Sequence, residues 1–154
     1  MQGKYRSALL TGATGGICSA FAEILAGECD NLILLARSKS KLDDMKLRLE
    51  DKYHLKVYIL PIDLTEPDSI NIIRSFLSDN NLSPDLLINN AGIGYFGKFD
   101  VIDLSRHLDS ISLNISAITG LSSLLINLMK NIGGGTILNI SSTFSFRPVP
   151  YWAV

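Results

Sequence analysis

The sequence has little of what marks a disulfide-bonded or metal-binding protein. Its 154 residues contain two cysteines, Cys18 and Cys29, and two histidines, His54 and His107. The cysteines have no CxxC or metal-ligand spacing, so we expect reduced thiols and no bound metal. The histidines stand alone in the sequence, and we interpret them as surface or helix-face residues.

Strong charge and long apolar runs are also missing. The formal net charge is −1, which gives no electrostatic basis for binding nucleic acid or an anionic membrane. The N-terminal apolar run, residues 8–10, is too short for a signal peptide, and no run approaches the roughly 18 apolar residues of a membrane span. We therefore expect a cytoplasmic protein with no nucleic-acid or membrane partner.

What the sequence does contain is an alternation of short apolar runs and longer amphipathic runs. The uninterrupted apolar runs predict parallel strands at residues 6–10, 31–36, 56–61, 86–89 and 136–141. The runs between them predict helices at residues 16–27, 39–52, 66–79 and 104–131. This order predicts an α/β fold: one domain over residues 1–154, a Rossmann-like doubly wound parallel sheet of order 3-2-1-4-5 between two helix layers (α/β/α).

Three local patterns refine the predicted helices. Residues Leu42, Met45, Leu47 and Leu49 predict a buried stripe on the second helix. The third helix is predicted to start with Thr65 as its cap and with acidic residues and a proline in the first turn. The three glycines at 133–135 are predicted to end the fourth helix and turn the chain into the last strand.

A glycine-rich turn directly follows the first predicted strand. It reads Thr11-Gly12-Ala13-Thr14-Gly15-Gly16-Ile17-Cys18. Glycines here let the backbone approach a pyrophosphate and aim a helix N-terminus at it. A tight turn without a ligand is the alternative, but the position between a strand and a helix is the one that the phosphate-binding motif requires.

The second strand ends in a cation where an NAD site uses an acid. Arg37 occupies this position, and an acid there would accept a hydrogen bond from the ribose 2′-hydroxyl. A guanidinium suits a 2′-phosphate instead, with Lys39 or Lys41 as a second cation. This favours NADP(H) over NAD(H); the alternative is a solvated basic helix start.

Four later segments complete the pattern. They are Asp63-Leu64-Thr65 after the third strand, Asn89-Asn90-Ala91-Gly92 at the end of the fourth, Asn114 in an apolar helix, and Ser141-Ser142 after the last strand. Asp63 and Thr65 also have a plain interpretation as helix caps, and Asn114 as a helix-surface amide. A buried amide in such a helix would need a hydrogen-bond partner.

In this order and spacing the segments resemble the classical short-chain dehydrogenase/reductase family. The turn matches TGxxxGxG at Gly12 and Gly16, with Cys18 in place of the last glycine. In the family, this position allows close packing near the cofactor, so we expect Cys18 to weaken cofactor binding or to shift the helix. The resemblance implies Ser142 and Asn114 as catalytic residues. It implies a cofactor-binding set of Thr11, Gly12, Thr14, Gly15, Gly16, Ile17, Arg37, Asp63, Leu64, Asn90, Ala91 and Gly92.

The resemblance implies an NADP(H)-dependent oxidoreductase that transfers hydride between nicotinamide and a small carbonyl or alcohol substrate. In the family, Ser142 would be followed by Tyr-x-x-x-Lys, which does not occur here; Tyr151 lies too close to Ser142, and no lysine follows it. We therefore expect these 154 residues to be the portion of such an enzyme that lies before the catalytic tyrosine, and to be inactive by themselves. The alternative is a non-catalytic NADP-binding module or remnant. The resemblance also implies a homo-oligomer through the long helix near Leu104–Asn131, and the substrate stays open.

Overall fold

The computed structural model describes residues 4–152 and residue 154. The strands are β1 (Tyr5–Thr11), β2 (Cys29–Ala36), β3 (Lys56–Pro61), β4 (Leu86–Asn89) and β5 (Thr136–Asn139). The α-helices are α1 (Gly16–Leu25), α2 (Lys39–Tyr53), α3 (Ser69–Asp79), α4 (Leu104–Ile111) and α5 (Ile118–Asn131). A π-helical segment, Ser112–Ala117, joins α4 to α5, and a 3₁₀ turn, Thr143–Phe146, follows β5.

All strand pairs are parallel, and the sheet order is β3-β2-β1-β4-β5. This confirms the predicted topology. Helices cover both faces, so neighbouring residues of one strand enter different cores. Leu10 and Leu34 pack on the side of α1 and α2, whereas Leu9 and Ile33 pack on the side of α3 and α5. Burial on both faces explains why these strands lack polar alternation.

The predicted start of the third helix is wrong by about one turn. The helix begins at Ser69, and Thr65 is not its cap. Asp63 Oδ1 accepts hydrogen bonds from the Thr65 backbone amide at 3.0 Å and from the Thr65 hydroxyl at 2.8 Å. These bonds hold a local turn that competes with helix initiation. Pro67 consequently precedes the helix.

One residue of the predicted stripe on α2 is also misplaced. Leu42, Met45 and Leu49 are buried, but Leu47 is 67% exposed. Positions 42, 45 and 49 follow the i, i+3, i+7 spacing of one helix face, and position 47 falls on the opposite side.

The fourth predicted helix is continuous from Leu104 to Asn131 because α4, the π-helical segment and α5 follow one another directly. As predicted, glycines end it. Gly133 and Gly134 adopt φ values of +94° and +128°, and the Gly134 amide donates to Met129 O at 2.8 Å. Left-handed φ values of this kind favour glycine.

This same helix corrects the expectation about apolar runs. Within the described residues, Leu104–Asn131 is the one helix long and apolar enough to cross a bilayer by length and composition, with a mean hydropathy of 1.5. No charged residue lies between Asp109 and Lys130, although serine, threonine and asparagine interrupt the apolar residues. Core helices of globular domains meet the same criteria, and here Leu121 and Leu125 pack against the sheet side.

Candidate cofactor site

A cleft of about 430 Å³ opens at the carboxyl ends of the strands. In a doubly wound sheet, ligands bind at this edge, where the strand order reverses between β1 and β4. The cleft is lined by every predicted cofactor-binding residue except Thr11, namely Gly12, Thr14, Gly15, Gly16, Ile17, Arg37, Asp63, Leu64, Asn90, Ala91 and Gly92.

The glycine-rich turn forms the floor of the cleft. Gly12 adopts φ +63°, and a Cβ there would lie 3.0 Å from Ala91 Cα, so a side chain would force the turn away from β4. Gly16 lines the cleft, and a Cβ added to it would have no other heavy atom within 4 Å. Open space at Gly16 leaves room for a ligand to approach the backbone.

The N-terminus of α1 meets this open space. Gly15 is the N-cap and supplies no side-chain cap, and the first turn carries no acidic residue. The first helical amides therefore keep free hydrogen-bonding capacity next to a positive helix end, which is the arrangement that holds a phosphate. The residues present fit the pyrophosphate of a dinucleotide.

Cys18 lies outside the cleft lining. Its side chain is fully buried in the core with Ala22 and Leu25. Burial raises the pKa of the Cys18 thiol to about 12. Burial likewise raises the pKa of Cys29 to about 12, with smaller contributions from nearby acids. Cys18 therefore fills core space beneath α1 as a neutral thiol, and its influence on a cofactor would pass through helix packing.

Thr11, in contrast to its predicted role, lies behind the cleft wall. It is buried, and its hydroxyl oxygen accepts from the amides of Asn90 at 3.0 Å and Ala91 at 3.1 Å. The hydroxyl donates to Ile88 O at 3.3 Å. The Asn90 side-chain amide donates in return to Thr11 O at 3.2 Å and to Gly12 O at 3.3 Å. Thr11 and Asn90 thus tie the two central loops together.

The two charged residues of the predicted cofactor-binding set, Arg37 and Asp63, both line the cleft. Arg37 is exposed at the end of β2, and Asp63 is partly buried after β3. The Thr65 backbone amide chiefly holds the pKa of Asp63 below its ordinary value, with the Thr65 hydroxyl and the charge of Arg37 adding to it against desolvation. Asp63 is therefore a charged acceptor at neutral pH.

The structure separates the two candidate lysines. Lys39 Nζ bonds Asp43 Oδ2 at 2.7 Å within α2. Lys41 has no ion pair with another described residue, and it lines a groove of about 300 Å³ that adjoins the cleft at Thr14. Of the two, Lys39 is therefore engaged within its own helix, and Lys41 is the one that lines the adjoining groove.

The Asn114 side chain has the hydrogen-bond partner that a buried amide in an apolar helix needs. Its Oδ1 accepts from the Ile93 amide at 3.1 Å, and its Nδ2 donates to Ile93 O at 2.7 Å. The side chain therefore does not stand free on the helix surface. It lies in the π-helical segment and fixes the loop after β4 without lining the cleft.

Ser142 also lies outside the cleft lining. Its hydroxyl oxygen accepts from the Phe144 amide at 3.2 Å and caps the 3₁₀ turn. Ser141 shares a hydrogen bond with Ser145 at 2.7 Å. Both serines are exposed, so the Ser142 hydroxyl keeps its own proton available as a donor.

The loop over the mouth of the cleft, residues 93–99, is packed. The Gly97 amide donates to Tyr151 O at 2.9 Å. The Phe96 ring meets Tyr151 and Trp152 edge-on, at 5.9 and 6.2 Å between ring centroids. Tyr151 therefore contacts this loop through its ring and its backbone carbonyl.

Sequence reasoning missed several residues of the cleft. They are Leu35, Ala36, Ile62, Thr65, Ile93, Tyr95, Asp109 and Leu113. Leu35 and Ala36 precede Arg37 and could have been included as the end of a strand. Asp109 and Leu113 are one helical turn apart, a spacing that places them on one face, but the sequence alone does not show which face meets the cleft.

The chain matches the model of the family described as short chain dehydrogenase over residues 6–154. Among curated proteins, it is 34% identical to very-long-chain 3-oxoacyl-CoA reductase-A of Danio rerio over 93% of this chain and 46% of that protein. It is 32% identical to very-long-chain 3-oxoacyl-CoA reductase of Homo sapiens, with the same coverage of 93% and 46%. The chain thus spans 46% of the length of each of these relatives, which is about half.

Solved structures show the same relationship. A short-chain dehydrogenase from Sphingobium yanoikuyae in complex with NADPH is 34% identical, with a TM-score of 0.84 over 93% of this chain and 56% of that one. L-Sorbose reductase from Gluconobacter frateurii complexed with NADPH and L-sorbose is 25% identical, with a TM-score of 0.91 over 99% and 58%.

Replacing Thr11 by valine tests the tie between the two central loops. The change keeps the shape of the side chain but leaves the amides of Asn90 and Ala91 without their acceptor. We expect the free energy of unfolding to fall by about 2 kcal/mol or more, since each unsatisfied donor costs about 1–3 kcal/mol. Urea unfolding followed by circular dichroism measures the loss.

Thr119→Val is the matched control. The Thr119 hydroxyl is exposed and donates to Ile115 O at 2.8 Å, so water can replace the lost group. This variant should stay within about 0.5 kcal/mol of the parent. Equal stabilities of the Thr11 and Thr119 variants would contradict the structural role of Thr11.

Proposed function

The chain belongs to the short chain dehydrogenase family, and we propose that it is the NADP(H)-binding portion of an oxidoreductase acting on a carbonyl or alcohol. The observation that carries the proposal is Arg37 at the end of β2. It lines the same cleft as the uncapped N-terminus of α1. A site with a cation in place of an acid at this strand end suits a 2′-phosphate.

Two further facts support the choice of NADP(H) over NAD(H). Lys41, which forms no ion pair with another described residue, adds a cation at the groove that adjoins the cleft. The solved relatives from Sphingobium yanoikuyae and Gluconobacter frateurii carry NADPH. A cytoplasmic location and the absence of nucleic-acid and membrane partners stay predictions.

Separate residues of the chain would bind the cofactor, position a loop and bind the substrate. NADPH, when bound, supplies the hydride. The glycine-rich turn and α1 would hold the pyrophosphate, and Ala91 and Gly92 would leave room for a ribose. Asn114 would position the loop after β4 through Ile93. The Ser142 hydroxyl would donate to the substrate oxygen and favour charge building up on it.

Cofactor preference can be tested with Arg37 and the two lysines. We expect Arg37→Ala to raise the Kd of NADPH about tenfold, since a charge-assisted hydrogen bond is lost, and to leave the Kd of NADH nearly unchanged. Lys41→Ala should act in the same direction to a smaller extent. Fluorescence of the dihydronicotinamide, titrated with each variant, measures both constants.

Lys39→Ala serves as the control because the Lys39 ammonium is engaged by Asp43. It removes the same charge from the same helix start, so any general effect of net charge appears in it too. A Lys39 variant that loses as much NADPH affinity as the Lys41 variant would contradict the proposed subsite. Binding of NADH as tight as that of NADPH in the parent chain would contradict the cofactor preference.

Activity of residues 1–154 by themselves separates an enzyme from a binding module. The family's catalytic tyrosine and lysine are not among these residues, so we expect saturable NADPH binding without carbonyl reductase turnover. NADPH oxidation is followed by its near-ultraviolet absorbance with a panel of ketones and 3-oxoacyl thioesters. Turnover that disappears in Ser142→Ala would show that these residues suffice for catalysis.

The names of the relatives suggest a carbonyl compound as substrate. The curated relatives are named for 3-oxoacyl-CoA, whereas one solved relative is complexed with L-sorbose. A 3-oxoacyl-CoA is therefore the first substrate to test on the longer protein. Both compounds present a carbonyl to be reduced.

We also propose that the protein self-associates through the outer face of the long helix. Leu104, Leu108, Ile111 and Ile115 are exposed there at spacings that form one stripe. An exposed apolar stripe of this length marks an interaction surface. Leu108→Glu should shift the chain toward monomer in light scattering coupled to size-exclusion chromatography.

Leu47→Glu is the control for this prediction, because Leu47 is an exposed leucine on α2, 67% accessible against 51% for Leu108. It should leave the association state unchanged. A parent chain that remains monomeric at the highest attainable concentration would exclude the proposed surface.

A further inference from the structure

Two carboxylates line the cleft, and the expected cofactor-binding set contains only one of them, Asp63. Asp63 comes from the loop after β3, and Asp109 comes from α4. Leu113, one helical turn after Asp109, lines the cleft as well, so this face of the long helix forms part of the wall. The inference that follows rests on the proposed binding of NADP(H).

The Asp109 side chain is uncommitted within the described part of the chain. It is partly buried and forms no hydrogen bond or ion pair with another described residue. The cation nearest to it along the helix, Arg106, lies over the Tyr95 ring at 5.2 Å from the centroid. His107 faces elsewhere, bonded to Phe99 O at 3.2 Å. Nothing in α4 therefore needs this carboxylate.

A carboxylate in a cleft that takes a polyanion suits a part of the ligand that donates hydrogen bonds. The phosphates would be repelled by Asp109, whereas the exocyclic amine of adenine has two N–H groups to donate. Leu64, Ala91 and Leu113 give the cleft apolar lining suited to a flat ring. Asp63 Oδ1 already accepts two bonds from Thr65, so a second acceptor is useful there.

We propose that Asp109 is a specificity-determining residue whose carboxylate accepts a hydrogen bond from the adenine amino group. It selects dinucleotides that carry an amino-purine. The bond is charge-assisted, and such bonds discriminate strongly against a ligand that presents an acceptor in the same place.

The test compares NADPH with reduced nicotinamide hypoxanthine dinucleotide phosphate, in which a carbonyl oxygen replaces the adenine amino group. Dihydronicotinamide fluorescence reports binding of both. We expect the parent chain to prefer NADPH. Asp109→Asn should lower this preference about tenfold, because an amide can donate to the carbonyl oxygen. Asp109→Glu, which keeps the carboxylate, should retain most of the preference.

Asp103→Asn is the matched control. Asp103 precedes α4, is exposed, and makes no side-chain cap bond, so its substitution removes the same charge without touching the cleft. It should leave the preference unchanged. Urea unfolding of each variant verifies folding, and Asp109→Asn should unfold at the same urea concentration as the parent.

The outcomes separate the two proposals. An Asp109→Asn variant whose Kd changes equally for both dinucleotides, or not at all, overturns the role of Asp109 while the proposed function stands. A preference lost equally in Asp103→Asn overturns it as well, since general charge would explain the effect. A parent chain that binds neither dinucleotide overturns the proposed function and the Asp109 role together.

Discussion

The hydrogen bonds between Thr11 and Asn90 are the interactions on which the cleft depends. β1 and β4 diverge at their carboxyl ends, and the backbone hydrogen bonds between these two strands stop there. Backbone groups at such a point need other partners. The Thr11 hydroxyl and the Asn90 amide supply them on both sides. Gly12 can then lie against Ala91, because no Cβ separates them, and the cleft floor has a defined shape.

The charges around this floor come from five different elements. Arg37 follows β2, Lys41 lies on α2, and the positive end of α1 lies at the glycine-rich turn. Asp63 follows β3, and Asp109 lies on α4. In the proposed complex, the phosphates meet the cations and the helix end, and the amino-purine meets a carboxylate. Electrostatic complementarity of this kind contributes orientation more than affinity.

Most features that were predicted correctly depend on neighbouring residues, and most cleft residues that were missed depend on distant ones. The bounds of β3 and β4 agree with the prediction, since apolar runs between turn residues are local signals. The start of α3 was wrong because the Asp63 side chain captures Thr65, a competition between two local patterns. Asp109 could not be assigned to the cleft, because the wall it completes is built from loops far away in the chain. Thr11 was assigned to the cleft although its hydroxyl is turned to β4.

The long helix shows how one sequence pattern serves several surfaces. Cleft residues Asp109 and Leu113 and core residues Ala117, Leu121 and Leu125 recur every four positions. In a regular α-helix, a row spaced by four residues drifts around the axis by about 40° per step, because a turn holds about 3.6 residues. The π-helical segment, Ser112–Ala117, has wider turns. A step of four residues there covers less than a full turn, so the row rotates in the opposite sense and the drift is compensated between the cleft and the core. The local departure from α-helical geometry therefore lets one row of side chains pass from the cleft to the sheet, and it leaves the opposite row exposed on the outer face.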